Sequence, residues 1–212
     1  NLHGLQGRNY VIISHPDFIS SARSLAAHRH DHDGLDTLVV TSGQIYNEFS
    51  SGKPDVSAIR DFLKMLYDRA ATEEDMPKYV LLHGDGSYHN KGTDLNNTNF
   101  ILTYQSVNSL SPVGSFVTDD FFGLLDDNEG GYTGLMDIGV GRFPVSTQAQ
   151  ARDAMNKTIS YDQPDKMGDW RNTICFIGDD QDNNLHMIQA EELANYVEFN
   201  YPSFSVGMIY LD

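Results

Sequence analysis

Cysteine is nearly absent from this sequence. Cys175 is the single one, so no internal disulfide can form. That excludes a small secreted scaffold held by disulfides, and leaves cytosol, periplasm or the bacterial exterior as compartments. Basic charge is also scarce: 14 Lys and Arg stand against 30 Asp and Glu, for a formal net charge of −16. Without a basic stripe, a phosphate backbone finds no counter-charge, so nucleic acid is excluded as a partner. No apolar run approaches the roughly 18 residues that a membrane-spanning helix needs. The start, Asn1-Leu2-His3-Gly4, lacks the basic and apolar regions of a signal peptide. The abrupt ends read as those of a segment from a longer polypeptide, with any localisation signal lying elsewhere.

What is present is a core. With 212 residues, 40% hydrophobic and 11% aromatic, the chain suffices for one large α/β domain or two small ones. Asn9–Ser14 is a short apolar run and reads as a buried strand. A helix follows over Asp17–His30, with Phe18, Ala22, Leu25 and Ala26 on one face. Asp36–Thr41 is the next strand, Ile45–Phe49 a helical turn. Pro54-Asp55 opens a helix whose stripe is Val56, Ile59, Phe62, Leu63, Leu66 and Tyr67, leaving Arg60 and Lys64 outside. Lys78–Leu82 is a third strand. This alternation predicts parallel strands joined by crossover helices. Phe100–Tyr104 reads as a fourth strand, and Phe121–Leu125 with Met136–Val140 as a β-hairpin with an acidic tip. Gln148–Tyr161 is a helix capped by Thr147. A second cycle then runs strand Thr173–Ile177, loop Gly178–Leu185, helix His186–Phe199 and strand Ser205–Leu211.

Four groups of residues suggest chemistry. His83-Gly84 ends an apolar strand and Cys175 comes later, the order of base and nucleophile in a caspase-like thiol peptidase. Against that, Cys175 sits within its strand, where a lone cysteine is more often a core residue. His28, His30 and His32 look like metal ligands, yet only His28 and His32 share a helix face, and a helix end suits histidine for its dipole alone. Asp126 and Asp127 at the hairpin tip, with Asp137 after it, suit calcium, although the spacing is not that of an EF-hand and a solvated acidic tip explains them equally. Finally, Gly178-Asp179-Asp180-Gln181-Asp182-Asn183-Asn184-Leu185-His186 occupies the strand end where a doubly wound sheet places its ligands. A carboxylate there could orient a catalytic imidazole; an Asx-rich turn that caps the next helix is the plainer reading.

Several stretches carry a family resemblance: IYNEFSSGKPDVSAIR from Ile45 to Arg60, YVLLHGDGS from Tyr79 to Ser87, TDDFFG from Thr118 to Gly123, IGVGRFP from Ile138 to Pro144, and DDQDNNLH from Asp179 to His186 with AEELA from Ala190 to Ala194. Together, and in this order, they resemble the gingipain-like cysteine peptidases of family C25, and within it the sortase type that serves type IX secretion. The resemblance implies a caspase-like, doubly wound, mostly parallel α/β sheet with helices on both faces. Residues 9–165 would be subdomain A, and residues 170–212 the beginning of subdomain B. It implies that the catalytic His and Cys belong to later motifs of B, a T-G-H-G-type motif and a strand-end Cys, which do not occur before Asp212. His83 and Cys175 would then be bystanders and this stretch inactive alone. It also implies that Asp180 assists the catalytic His (with Asp where the family has Glu), and that His186 lies near the specificity-pocket position. Arginine-specific members carry Asp at that position, so no arginine preference follows. Calcium at Asp126, Asp127 and Asp137 is implied as well. So are a cell-surface location in a Gram-negative bacterium, secreted cargo sorting domains as substrates, an amine on surface lipopolysaccharide as acyl acceptor, and the remainder of the same polypeptide as a partner. The alternative from another class is a catalytically silent α/β module binding calcium or protein at the cell surface.

Overall fold

A computed structural model describes residues 1–90, 98–108, 110–111, 114–130 and 133–211. The chain forms two compact units, Asn1–Ile159 and Ser160–Asp212. In the first, β1 (Tyr10–Ser14), α1 (Ile19–Asp33), β2 (Thr37–Thr41), α2 (Ser42–Phe49), α3 (Val56–Asp68) and β3 (Tyr79–His83) follow one another. After the short strands β4 (Tyr104–Gln105) and β5 (Val117–Thr118) come β6 (Gly139–Phe143) and α4 (Gln148–Tyr161). The main sheet has the order β2-β1-β3-β6 and every pair is parallel.

The continuous apolar run of β1 is explained by burial on both faces. Val11 and Ile13 face Ile45, Ile59, Phe62, Leu63 and Leu66 of α2 and α3. Ile12 and Leu81 face Ala22, Leu25 and Ala26 of α1, with Met155 and Ile159 of α4 against them. The helices start where the sequence supplies caps. Asp55 accepts from the Ser57 N–H at 2.8 Å. Thr41 and Gln44 form a reciprocal box, which extends the expected turn at Ile45–Phe49 into an eight-residue helix. Thr147 and Gln150 do the same for α4. α1 stops at Gly34, whose φ of 68° is the left-handed cap glycine tolerates.

Two expectations are corrected. Phe100–Tyr104 is not a strand of the main sheet; the ladder is confined to Tyr104–Gln105, which pairs antiparallel with Val117–Thr118. The reason lies in its backbone partners: the Phe100 and Ile101 N–H groups both donate to the Asp85 carbonyl, while the Ile101 and Leu102 carbonyls accept from Arg142. The predicted hairpin is also absent among the described residues. Asp120–Gly123 is a 3-10 turn that buries Phe121 and Phe122, and the downstream half becomes β6, parallel to β3. Asp137 joins the two segments, its N–H donating to the Gly123 carbonyl at 2.8 Å and its carboxylate accepting from the Leu125 N–H.

The second unit is a strand–helix–strand: β7 (Thr173–Asp179), α5 (Gln181–Asn200) and β8 (Ser205–Leu211), with β8 parallel to β7. Gly178 faces α5 so closely that a Cβ there would lie 3.1 Å from Met187 backbone atoms. On the opposite face of β7, Cys175 and Ile177 are exposed.

Candidate functional site

The C-terminal edge of the main sheet brings Thr41, Ser14, His83 and Phe143 into one row. Strand order reverses between β1 and β3, the position where doubly wound sheets hold ligands. Here the chain fills that position itself. His83 is 1% exposed, with Phe18 and Phe143 rings 5.9 and 5.8 Å from its own. The Ser14 hydroxyl donates to the His15 carbonyl at 2.9 Å and lies 3.3 Å from His83 Nδ1, so the hydrogen belongs on Nδ1. Nε2 has no partner among the described residues. Burial pushes the His83 pKa down to about 4. The ring is therefore neutral near pH 7 and covered by phenylalanines.

Beside it, Arg142 at the end of β6 uses all five of its N–H groups. It grips Asp119 with two bonds of 2.7 Å and donates to the Gly84, Ile101 and Leu102 carbonyls at 2.8, 2.9 and 3.2 Å. Two segments of the family resemblance, TDDFFG and IGVGRFP, thus meet in one ion pair. Sequence reading did not assign them this contact, because the partners are 23 residues apart.

The acidic tip is anchored from α3. Arg60 donates to the Leu124 and Glu129 carbonyls at 2.7 and 3.0 Å. Lys64 reaches the Leu125 carbonyl at 2.9 Å, and Asp68 and Asp127 at 3.0 Å each. The two bases that the helical stripe left facing outward are therefore the struts of this loop. Asp137 accepts from the Leu125 and Asp126 N–H groups at 2.6 and 3.1 Å, and Asp126 accepts from the Tyr67 hydroxyl at 3.2 Å. Asp137 serves the loop backbone, Asp126 a tyrosine and Asp127 a lysine. On α1, His28 and His32 stack at 5.2 Å, while His32 Nδ1 also meets Asp33 at 2.7 Å.

The loop after β7 has the most unusual backbone. Asp182, Asn183 and Asn184 are all left-handed, with φ of 55°, 58° and 64°. Such a conformation is tolerated by Asn and Asp singly and disfavoured in succession. The regular part of α5 begins only after them. Asp180 sits at the N-terminus of that turn, its N–H donating to the Leu211 carbonyl at 3.2 Å and its own carbonyl accepting from Asn184 at 3.3 Å. The Asp180 side chain is exposed. His186 turns back over the loop: Nδ1 is 2.8 Å from Asp179 Oδ1 and Nε2 is 3.7 Å from Asp182 Oδ2. The hydrogen bond and charge of Asp179 raise its pKa above the ordinary value. Asp179 was absent from the residues singled out individually; its place beside a recognised strand end was the available signal.

A parallel sheet wound by helices on both faces, followed by a new strand whose mouth carries acidic groups, is the architecture of the caspase-like peptidases. The chain belongs to Peptidase family C25, which it matches over residues 3–212. Among solved structures it is similar to dimeric latent PorU from Porphyromonas gingivalis, at 43% identity and a TM-score of 0.69, covering 81% of this chain and 17% of that one. It is also similar to the complex of Porphyromonas gingivalis RgpB pro- and mature domains, at 17% identity and a TM-score of 0.64, covering 96% of this chain and 42% of that one. A structure described as a protease matches at 14% identity with a TM-score of 0.56, over 80% of this chain and 31% of its own. No curated protein matches. The chain thus spans less than half the length of each of these solved structures.

Proposed function

We propose that this chain is the front portion of a C25 cysteine endopeptidase of the sortase type, with residues 9–165 as subdomain A and the stretch from about residue 170 as the start of subdomain B. In the complete enzyme a thiolate attacks the peptide carbonyl of a secreted protein's C-terminal sorting domain, forms an acyl-enzyme and passes the acyl group to an amine or water. The enzyme works at the cell surface of a Gram-negative bacterium. The observation that carries this reading is the family match over residues 3–212, joined to 43% identity with PorU.

Two observations support placing the catalytic pair in the remainder of the polypeptide. His83 is buried away from solvent, and Cys175, although exposed, lies mid-strand rather than at a strand end. The chain is therefore inactive alone, its catalytic His and Cys coming from the remainder of its polypeptide. Asp180, exposed at the mouth of β7, is the carboxylate that orients the catalytic imidazole. The test is the longer enzyme acting on a peptide that spans a sorting-domain junction. Asp180→Asn should lower kcat by about 10²-fold, the lower end of acid–base contributions, with little change in KM. Unchanged kcat would remove Asp180 from the mechanism. Calcium at Asp126, Asp127 and Asp137 is a separate proposal, and it must contend with the Lys64 ammonium already at Asp127.

A further inference from the structure

The imidazole of His186 is placed between two turns of its own chain. Its Nδ1 meets Asp179 at the end of β7, and its Nε2 faces Asp182, the first residue of the left-handed turn. Asp179 Oδ1 also accepts from the Gln181 N–H at 3.3 Å, so one carboxylate ties the strand end to both sides of the loop. Three successive non-glycine residues in the left-handed region are costly at about 1–2 kcal/mol each, less for Asn and Asp. Something must hold them. Among the described residues, the backbone bond from Asn184 to Asp180 is a restraint on them, and the imidazole is another.

We infer that His186 is a positioning residue, an imidazolium strut that fixes the Asp180–Asn184 turn and with it the direction in which Asp180 is presented, rather than a group that meets the substrate. This deepens the peptidase reading given above and rests on it for the role of Asp180; the strut itself does not. Only the protonated ring can donate at both nitrogens, so a carboxylate on each side selects the charged form. Among the described residues, the ionisable groups set against the ring are Asp179 from β7 and Asp182 from the turn. β8 reaches the same turn through the Leu211 carbonyl, which accepts from Asp180. The raised pKa agrees with this arrangement.

The experiment is side-chain and backbone NMR of the 212-residue chain from pH 5 to 9. His186 should titrate above the ordinary histidine value, and the amides of Asn183 and Asn184 should move with the same midpoint. Asp179→Asn should bring that midpoint down to or below the ordinary value, and Asp179→Glu should restore much of it. Asp180→Asn should leave it close to the parent's. His186→Gln should abolish the coupled movement of the turn amides while spectral dispersion elsewhere is kept. A His186 midpoint at the ordinary value that ignores Asp179→Asn would overturn the strut, as would turn amides that do not follow the ring. These readouts need no peptidase activity, so they stand apart from the kcat test of Asp180.

Discussion

Protonating His83 would place a charge against the rings of Phe18 and Phe143, with one ring nitrogen lacking a partner among the described residues. The folded protein resists this until about pH 4, whereas the same imidazole in the unfolded chain takes its proton near 6.5. Between those values the unfolded state binds the extra proton. The histidine's contribution is therefore intact above about pH 6.5 and is lost as pH falls towards 4, about 3 kcal/mol in all. His83→Leu should remove that share of the difference between urea stabilities at pH 7.5 and 4.5; an undiminished difference would place the acid sensitivity elsewhere. His186 has the opposite sign. Its raised pKa stabilises the loop at lower pH and loses that effect as pH rises through the folded value. The left-handed turn makes its own demand. Asn183→Ala should destabilise by about 1 kcal/mol, whereas Asn183→Gly should be neutral or gain a few tenths. Thermal melts that rank the two variants the other way would contradict the backbone described for this residue.

Strands and helices with one dominant physical signal were legible in the sequence; segments held by distant side chains were not. The β1 run is apolar because both faces are buried, and the α3 stripe points at one of those faces. Asp55, Thr41 and Thr147 act locally, within three residues of the groups they cap. By contrast, Phe100–Thr103 resembles a strand in composition, and what diverts it is Arg142, about 40 positions later. The expected hairpin failed for a related reason: Gly139–Phe143 had a parallel partner in β3, which local sequence cannot reveal. The acidic tip was legible as acidic, while its attachment to Arg60 and Lys64 was not. Arg142→Met should therefore cost about 3–5 kcal/mol, because Asp119 is left partly buried without its partner and three carbonyls lose their donors. A loss below about 1 kcal/mol in denaturant titration would mean that these bonds exchange readily for water. At the tip, removing the resident ammonium with Lys64→Met should increase Ca²⁺ affinity in calorimetric titration; absence of binding heat in both proteins would eliminate the calcium proposal.

For the molecule as a whole, family and fold rest on the full match over residues 3–212 and on similarity to PorU and RgpB. The resemblance segments spread along the chain were what made that membership readable, since each is short and modest taken singly. The proposal that the catalytic pair lies elsewhere in the polypeptide is supported by Cys175 lying within β7 and by the burial of His83. The most direct test is an endopeptidase assay of the purified 212-residue chain on sorting-domain junction peptides, run beside its Cys175→Ser and His83→Ala variants. The expected result is no turnover above the uncatalysed background in any of the three. Hydrolysis by the parent chain that disappears in Cys175→Ser would show that the catalytic thiol lies within these residues after all.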